Sequence, residues 1–204
     1  MTQILEKHFE LLKKTFLEYG IKSIAMDDIA GSLGISKKTL YKEYANKNEL
    51  VRDVFLEDFS QFMTIANSIP KDSSSAIEEL YRLSDLFITS QNSLSISTLY
   101  DLKKYYHGLF AEMVKLIDTS INDLITNGIK RGIAENNFNP DVEYDKIACF
   151  FAFIFESYFL HPLHNLFDAS IPFSGKDIMN YFFKSICTQQ GIEILKNIQN
   201  IQKH

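Results

Sequence analysis

The fold of this chain is decided by one stretch near its N-terminus, Gly20 to Phe55, which reads GIKSIAMDDIAGSLGISKKTLYKEYANKNELVRDVF. Apolar residues recur in it at helical spacing, in short runs that glycines interrupt. The spacing predicts a helix from Met26 to Leu33, because Ile29 and Ala30 would lie on its buried face. Gly34 can adopt the left-handed conformation that ends a helix sharply, so a tight turn is expected there.

A second short helix is predicted directly after this turn. Ser36 is a natural N-cap for it, and Leu40 and Tyr44, four residues apart, would hold it against its neighbours. Two short helices joined by a tight turn with glycine form a helix-turn-helix, whose second helix projects its N-terminal residues into the major groove of DNA. Its exposed positions carry hydrogen-bond donors suited to phosphates and base edges: Lys37, Lys38, Thr39, Tyr41 and Lys42.

Helices are also predicted on both sides of this pair. Residues from Gln3 to Tyr19 have the apolar spacing of an amphipathic helix, which Gly20 should end. Asn46 can cap the next helix, with Glu49 reaching back to its start. Lys47 would then lie at a helix N-terminus, where backbone N–H groups and the helix dipole favour a phosphate.

The distribution of charge agrees with a small DNA-contacting surface. The whole chain has a formal net charge of −5, which argues against a protein that grips nucleic acid over its entire surface. Between residues 37 and 47, however, four lysines accompany a single acid, Glu43. A locally basic segment in an acidic protein indicates one nucleic-acid face on a body with other tasks.

The stretch from Gly20 to Phe55 resembles the signature of the TetR family of transcriptional regulators. The residues that carry the resemblance extend over three consecutive helices: Gly20, Asp28-Ile29-Ala30, Gly34-Ile35-Ser36, Thr39-Leu40-Tyr41, Tyr44, Asn46-Lys47 and Glu49-Leu50. The resemblance implies a regulator, expected to be a repressor, that binds palindromic double-stranded operator DNA as a homodimer. It also implies release of the DNA by a small-molecule effector, without a cofactor.

The resemblance assigns individual roles at the DNA. Lys37 and Lys38 would lie nearest the bases, with Tyr41 and Lys47 on phosphates and with Ser36 and Thr39 also in contact. Two positions depart from the family pattern. Ala25 stands where Thr or Ser often caps the first helix of the pair and touches phosphate, so either Ser23 substitutes or one contact is missing. Glu43 stands where an aromatic residue or His is frequent, and it would repel phosphate unless it pairs with Lys47 or accepts a hydrogen bond from cytosine.

The rest of the chain is also predicted to be helical, which makes the fold class all-α. With 17 Phe, 10 Tyr, 4 Pro and 8 Gly, the composition favours long helices over short strands. We expect a helix-turn-helix domain over residues 1–46 and a helical ligand-binding and dimerisation domain over 47–204. The predicted helices run from 46 to 68 (ended by Pro70), 73 to 89, 93 to 106, 110 to 130 (ended by Gly132), 141 to 160 and 174 to 190, with apolar periodicity resuming in the tail.

The resemblance also implies roles for the second domain. The last two long helices, Asp141 to Leu160 and Ser174 to Gln190, would pair with those of a second copy, and the apolar run from Ile147 agrees because it needs cover on every side. Aromatic residues cluster on helices that surround the sensor pocket in that family. Apolar walls with a few phenols suit a lipophilic or aromatic effector, and Glu156 could meet a cationic group. The candidate ligand-binding residues are Phe87, Tyr100, Tyr105, Tyr106, Phe110, Phe151, Phe155, Glu156 and Tyr158.

Other classes of protein fit the sequence less well. An enzyme is disfavoured, because no Glu has a His three residues later, as a di-iron bundle requires, and no phosphate loop or nucleophile elbow occurs. His161, His164 and Asp168 could form a metal corner, but histidines in a loop are more often polar surface, so no metal is expected. The alternative function is a helical adaptor that binds only protein.

The sequence also bears on location and redox state. The longest apolar run, from Ile147 to Phe155, is too short to cross a bilayer unaided, and no export signal is visible, so a cytoplasmic protein without a membrane span is expected. Cys149 and Cys187 lie in separate apolar segments, which favours buried, reduced thiols.

Overall fold

The computed structural model describes residues 2–91, 96–160 and 174–201, with side chains for residues 2–90, 97–154 and 174–200. Throughout these ranges the regular structure is α-helical, so the predicted all-α fold is confirmed. The helices are α1 (Gln3–Tyr19), α2 (Met26–Ser32), α3 (Lys37–Glu43), α4 (Lys47–Asp72), α5 (Ala76–Gln91), α6 (Ile96–Tyr105), α7 (His107–Ala134), α8 (Tyr144–Leu160), α9 (Gly175–Ile186) and α10 (Gln189–Ile201).

The first three helices begin and end where the capping signals predict. Gly20 has φ 78° after α1, and Gly34 has φ 66° after α2, so both turns use the left-handed region that glycine adopts without strain. The Ser36 hydroxyl accepts a hydrogen bond from the Thr39 N–H at 3.1 Å and caps α3. The helix-turn-helix therefore follows directly from local sequence.

Helix α4 is longer than predicted. It passes through Pro70 and ends at Asp72, although Pro70 was expected to stop it. Proline lacks the N–H that would bond to the preceding turn, but near a helix end this removes only one bond. The Arg131 guanidinium donates to the carbonyls of Pro70 (3.4 Å) and Ser73 (3.2 Å), which replaces partners that the last turn lacks.

Helix α7 also runs past its predicted end at Gly132 and stops at Ala134. A Cβ on Gly132 would overlap the ring of Phe138, so this glycine permits close packing and does not terminate the helix. Asn136, with φ 58°, makes the turn instead.

Two further boundaries differ from the prediction. Helix α8 begins at Tyr144, because the Asn139 carbonyl accepts a hydrogen bond from the Val142 N–H at 3.1 Å and holds a turn ahead of the helix. The predicted last helix is divided into α9 and α10. The break follows Ile186, where the Thr188 N–H donates to the Asn137 carbonyl at 3.0 Å.

The helices pack as two compact units, Met1–Met63 with Asn92–Leu116 and Thr64–Gln91 with Ile117–His204. In the first unit, α1, α2, α3 and the start of α4 bury a shared core, which α6 and the start of α7 complete. The fully buried residues of this core include Leu12, Phe16, Ile21, Ile29, Leu40, Leu50, Val51 and Val54. The predicted boundary at residue 46, between a DNA-binding domain and a ligand-binding and dimerisation domain, is a functional division and stays a proposal.

The second unit holds an ionic network around one buried carboxylate, with Arg131 and Glu135 half-buried. Glu79 is 3% exposed and accepts a hydrogen bond from the Arg131 guanidinium at 2.9 Å. Arg131 also donates to Glu135 at 2.6 Å, and Glu135 accepts from the Ala76 N–H at 2.8 Å and from the Asn137 amide at 2.7 Å. Burial raises the pKa of Glu79, although the charge of Arg131 opposes that shift. The network joins the ends of α4, α5 and α7.

Candidate nucleic-acid interface

Helix α3 presents one buried face and one exposed face. Leu40 is fully buried and anchors the helix to the core of the first unit, together with the buried Tyr44 at its end. The candidate contact residues all lie on the exposed side: Ser36, Lys37, Lys38, Thr39, Tyr41 and Lys42. The Ser36 and Thr39 hydroxyls lie 2.7 Å apart, and the Tyr41 side chain is 48% exposed. These six side chains of the predicted set are therefore accessible to a partner.

Lys37 has a partner within the helix-turn-helix. Its ammonium donates to the carboxylate of Asp27 in the first turn of α2, and this hydrogen bond and charge raise the pKa of Lys37. Both side chains are at least half exposed, so water screens the ion pair and it exchanges readily. A phosphate or a guanine edge would compete with Asp27 for this lysine.

Lys47 has partners that the sequence does not suggest. Its ammonium donates to the backbone carbonyls of Ile21 and Ile24, in the segment between α1 and α2. The half-buried position lowers the pKa of Lys47 through desolvation. In this structure Lys47 therefore links the start of α4 to the segment between α1 and α2. A phosphate would have to compete with these two carbonyls for its ammonium.

The two departures from the family pattern are explained by hydrogen bonds. The Ser23 hydroxyl donates to the carbonyls of Tyr19 and Gly20 at the end of α1, so it does not replace a capping hydroxyl at Ala25. Among the described contacts, Glu43 is not paired with Lys47, whose ammonium donates to backbone carbonyls. The Glu43 carboxylate instead accepts a hydrogen bond from the Ile4 N–H at 2.9 Å and caps the N-terminus of α1.

The predicted ligand-binding residues are distributed over both units. Phe87 and Phe151 are buried in the second unit. Tyr106 and Phe110 are half-buried against the core of the first unit, so changing them would disturb the DNA-binding module itself. Phe155, Glu156 and Tyr158 fall outside the residues whose side chains are described, as do His161, His164 and Asp168. Elsewhere among the described side chains, no group of three or more His, Cys, Asp or Glu is placed to hold a metal.

Tyr100 and Tyr105 lie in positions that differ from the predicted cavity wall. Their side chains are 55% and 38% exposed, and their phenol oxygens accept hydrogen bonds from Lys104 (2.6 Å) and Lys22 (2.7 Å). Sequence spacing does not separate these surface rings from buried ones, because both kinds follow the same helical period. The lysines at neighbouring positions are the signal that could have distinguished them.

An exposed aromatic face lies on α8 and α9 of the second unit. Phe150, Phe153 and Tyr181 are 50%, 63% and 65% exposed. Beneath them the ring of Phe151 packs edge-on against Phe182, with centroids 5.1 Å apart, and both are buried. Over its described side chains, residues 144–154, α8 therefore has one buried side and one exposed aromatic side.

The two cysteines differ in their surroundings. Cys149 is exposed on α8, contrary to the predicted buried thiol, whereas Cys187 is buried. Burial raises the pKa of Cys187 to about 12, so its thiol stays protonated and inert near neutral pH.

No helix among the described residues combines the length and the apolar character needed to cross a bilayer.

Comparison with known proteins agrees with this geometry. The family model described as "Bacterial regulatory proteins, tetR family" matches residues 12–54, which include α2 and α3 in full. The uncharacterized HTH-type transcriptional regulator YvaF of Bacillus subtilis (strain 168) is 27% identical over 143 residues, which are 69% of this chain and 73% of that protein.

Two solved structures share the fold. A transcriptional regulator from Cytophaga hutchinsonii ATCC 33406 has a TM-score of 0.73 at 20% identity, with 92% of this chain and 100% of that chain covered. FadR from Bacillus subtilis, in complex with stearoyl-CoA, has a TM-score of 0.64 at 15% identity, with 88% and 95% covered. This family consists of DNA-binding transcriptional regulators and not of enzymes. Residues 12–54, which hold the helix-turn-helix, therefore match the TetR family of bacterial regulatory proteins, and the fold of the described residues is similar to that of transcriptional regulators.

Proposed function

We propose that this chain is a repressor that binds palindromic operator DNA as a homodimer and leaves it when a lipophilic or aromatic effector binds. The observation that carries the proposal is the exposed face of α3, where hydroxyls, a phenol and three lysines lie around a single buried anchor, Leu40. Lysine can reach the acceptors of guanine in the major groove, and hydroxyls and phenols can reach phosphates.

The homodimer is supported by the aromatic face of α8 and α9. Phe150, Phe153 and Tyr181 expose large apolar side chains on two helices that contact each other through Phe150 and Phe182, and exposed apolar surface of this extent is typical of an interaction surface. A second copy offers the same patch, so a two-fold arrangement would cover both at once. Two recognition helices related by a two-fold axis read a palindrome.

The effector site is proposed for the second unit, where Phe87 and Phe151 contribute buried aromatic surface. The similar fold of the FadR structure with stearoyl-CoA supports a lipophilic effector. Tyr100 and Tyr105 are not included in this proposed site, because their rings are exposed and their phenol oxygens accept hydrogen bonds from lysines. Release requires an effector that prefers a DNA-incompetent conformation about a hundredfold, which corresponds to about 2.7 kcal/mol.

The test is a selection of binding sites from random duplexes, followed by anisotropy titrations at several salt concentrations. We expect a palindromic consensus and an affinity that falls steeply as salt rises. The variant Lys38→Ala should lose about 1–3 kcal/mol on the selected site and relax the preference at one base pair in each half-site. Lys196→Ala on α10 is the matched control and should bind as the unmodified protein does.

Two outcomes would contradict the proposal. If no sequence is enriched and no salt-dependent binding occurs, the protein is not an operator-binding repressor and the adaptor function gains support. If lipophilic compounds that raise the melting temperature leave the titration unchanged, release by such an effector is wrong.

A further inference from the structure

A cluster of lysines and tyrosines lies on α6 and on the segment that precedes α2, within the first unit. The α6 cluster consists of Lys22, Tyr100, Lys103, Lys104 and Tyr105. Lys22 lies over the Tyr105 ring, with its ammonium 4.4 Å from the ring centroid. Lys104 lies 5.1 Å from the Tyr100 centroid and 5.4 Å from that of Tyr105. All five side chains are exposed.

The partners of these lysines are neutral. In the described contacts, Lys22 and Lys104 donate to phenol oxygens and not to carboxylates. The nearest acid on α6, Asp101, is buried, and its carboxylate accepts a hydrogen bond from the backbone N–H of Lys22 at 2.8 Å. In these contacts no carboxylate neutralises Lys22 or Lys104, so their positive charge is available to an anion outside the chain.

The cluster lies beside the segment from Ile21 to Ile24, which leads into α2. The carbonyls of Ile21 and Ile24 accept hydrogen bonds from Lys47 in the first turn of α4, so this segment belongs to the helix-turn-helix module. The resulting surface combines three exposed lysines and two phenols, which together suit an anion.

The side chains expected to hold phosphate at this place are absent or engaged. Ala25 has no hydroxyl, Ser23 donates to the carbonyls of Tyr19 and Gly20, and Lys47 is bound to backbone carbonyls. These three positions thus offer no unengaged side-chain donor in the described contacts. The α6 cluster supplies donors next to them.

We propose that the α6 cluster binds the phosphate backbone of the operator duplex and extends the contact surface beyond the helix-turn-helix. The inference rests on the proposed operator binding. Phosphate contacts position a protein without reading bases, so the cluster contributes affinity and not sequence preference. The phenols add donors and hold the lysine chains in place over their rings.

The experiment measures the salt dependence of binding for Lys103→Ala and Lys104→Ala on the selected operator and on a scrambled duplex of equal length. Each lost phosphate contact should reduce the slope of log K against log salt by about one unit per site, or about two for a dimer. The loss in affinity should be equal on both duplexes. Lys103→Glu, at an exposed position, should give a larger loss, and circular dichroism would confirm the folding of each variant.

The matched control is Lys130→Ala. Lys130 also lies over a tyrosine ring, 4.5 Å from the centroid of Tyr144, but it belongs to the second unit. For Lys130→Ala, the slope of log K against log salt should equal that of the unmodified protein. Unchanged slopes for all three α6 variants, alongside normal binding by the unmodified protein, would overturn this inference alone. A loss confined to the operator would also overturn it, because it would indicate base reading. If the unmodified protein binds neither duplex, both the proposed function and this inference are wrong.

Discussion

At the residue scale, Glu43 has a role that the pattern of the sequence does not reveal. An acid on a recognition helix suggests repulsion from DNA, yet its carboxylate accepts the Ile4 N–H and satisfies an otherwise unpaired donor of α1. The negative charge also lies at the positive end of the α1 dipole. Glu43 therefore stabilises the helix-turn-helix module by capping α1, which differs from the role at the DNA that its position on α3 suggests.

Replacement of Glu43 tests this capping role. We expect Glu43→Ala to lower the free energy of unfolding by about 0.5–2 kcal/mol, as for other lost helix caps, while affinity for operator DNA is unchanged or increased. Glu43→Gln keeps an acceptor and should lose less. Thermal and urea unfolding would measure the effect, with Glu10→Ala as an exposed control. A Glu43→Ala protein of full stability that no longer binds DNA would show that the carboxylate acts at the interface.

Lys47 and Ser23 mark the limit of sequence reasoning at this scale. Their positions along the chain are consistent with phosphate contacts, and the predicted helix N-terminus at Lys47 is present. Their actual partners are backbone carbonyls up to 26 residues away in the chain. The contact of Lys47 depends on how α1 approaches α4, which local spacing does not specify. The acceptors of Ser23 are local carbonyls, those of Tyr19 and Gly20.

At the element scale, glycine has two different structural roles in this chain. Gly20 and Gly34 end helices through positive φ, as their sequence context predicts. Gly132 was expected to do the same but lies inside α7, where a Cβ would overlap the Phe138 ring. Periodicity locates helices well, but it does not show which neighbour packs against a glycine.

Two matched substitutions follow from this difference. Gly132→Ala should destabilise the protein by about 1–3 kcal/mol, since the added methyl forces Phe138 to move. Gly31→Ala, within α2 and with no atom within 4 Å of the new Cβ, should stabilise it by about 0.5–1 kcal/mol through improved helix propensity. Urea unfolding of both variants measures the contrast. Similar effects of the two substitutions would mean that the packing at Gly132 is looser than the structure indicates.

At the scale of the whole molecule, the buried rings of α8 contribute to folding of the chain, and its exposed rings are available for association with a second copy. From sequence alone, Phe151 and Phe153 belong to one apolar run. The structure buries Phe151 fully and leaves Phe153 63% exposed. The general expectation of an apolar helix with two partners was available from composition, but the assignment of each ring needed the packing against α9.

We therefore expect the two positions to respond differently when a charge is introduced. Phe153→Glu should keep the helical content and melting behaviour of a folded chain but shift sedimentation toward the monomer. Phe151→Glu should unfold the second unit, because it places an unpaired carboxylate in the core at a cost of several kcal/mol. Analytical ultracentrifugation at micromolar concentration, with circular dichroism, measures both. A monomeric unmodified protein would exclude the proposed dimer.

The network of Arg131, Glu79 and Glu135 has a consequence for how this sequence can diverge. A buried carboxylate without its guanidinium is strongly destabilising, whereas replacing the whole set with apolar side chains is often tolerated. Substitutions at these three positions are therefore not independent, and an intermediate that has lost Arg131 alone is the least fit of the series. Lineages descended from this protein should keep the three residues together or exchange them together.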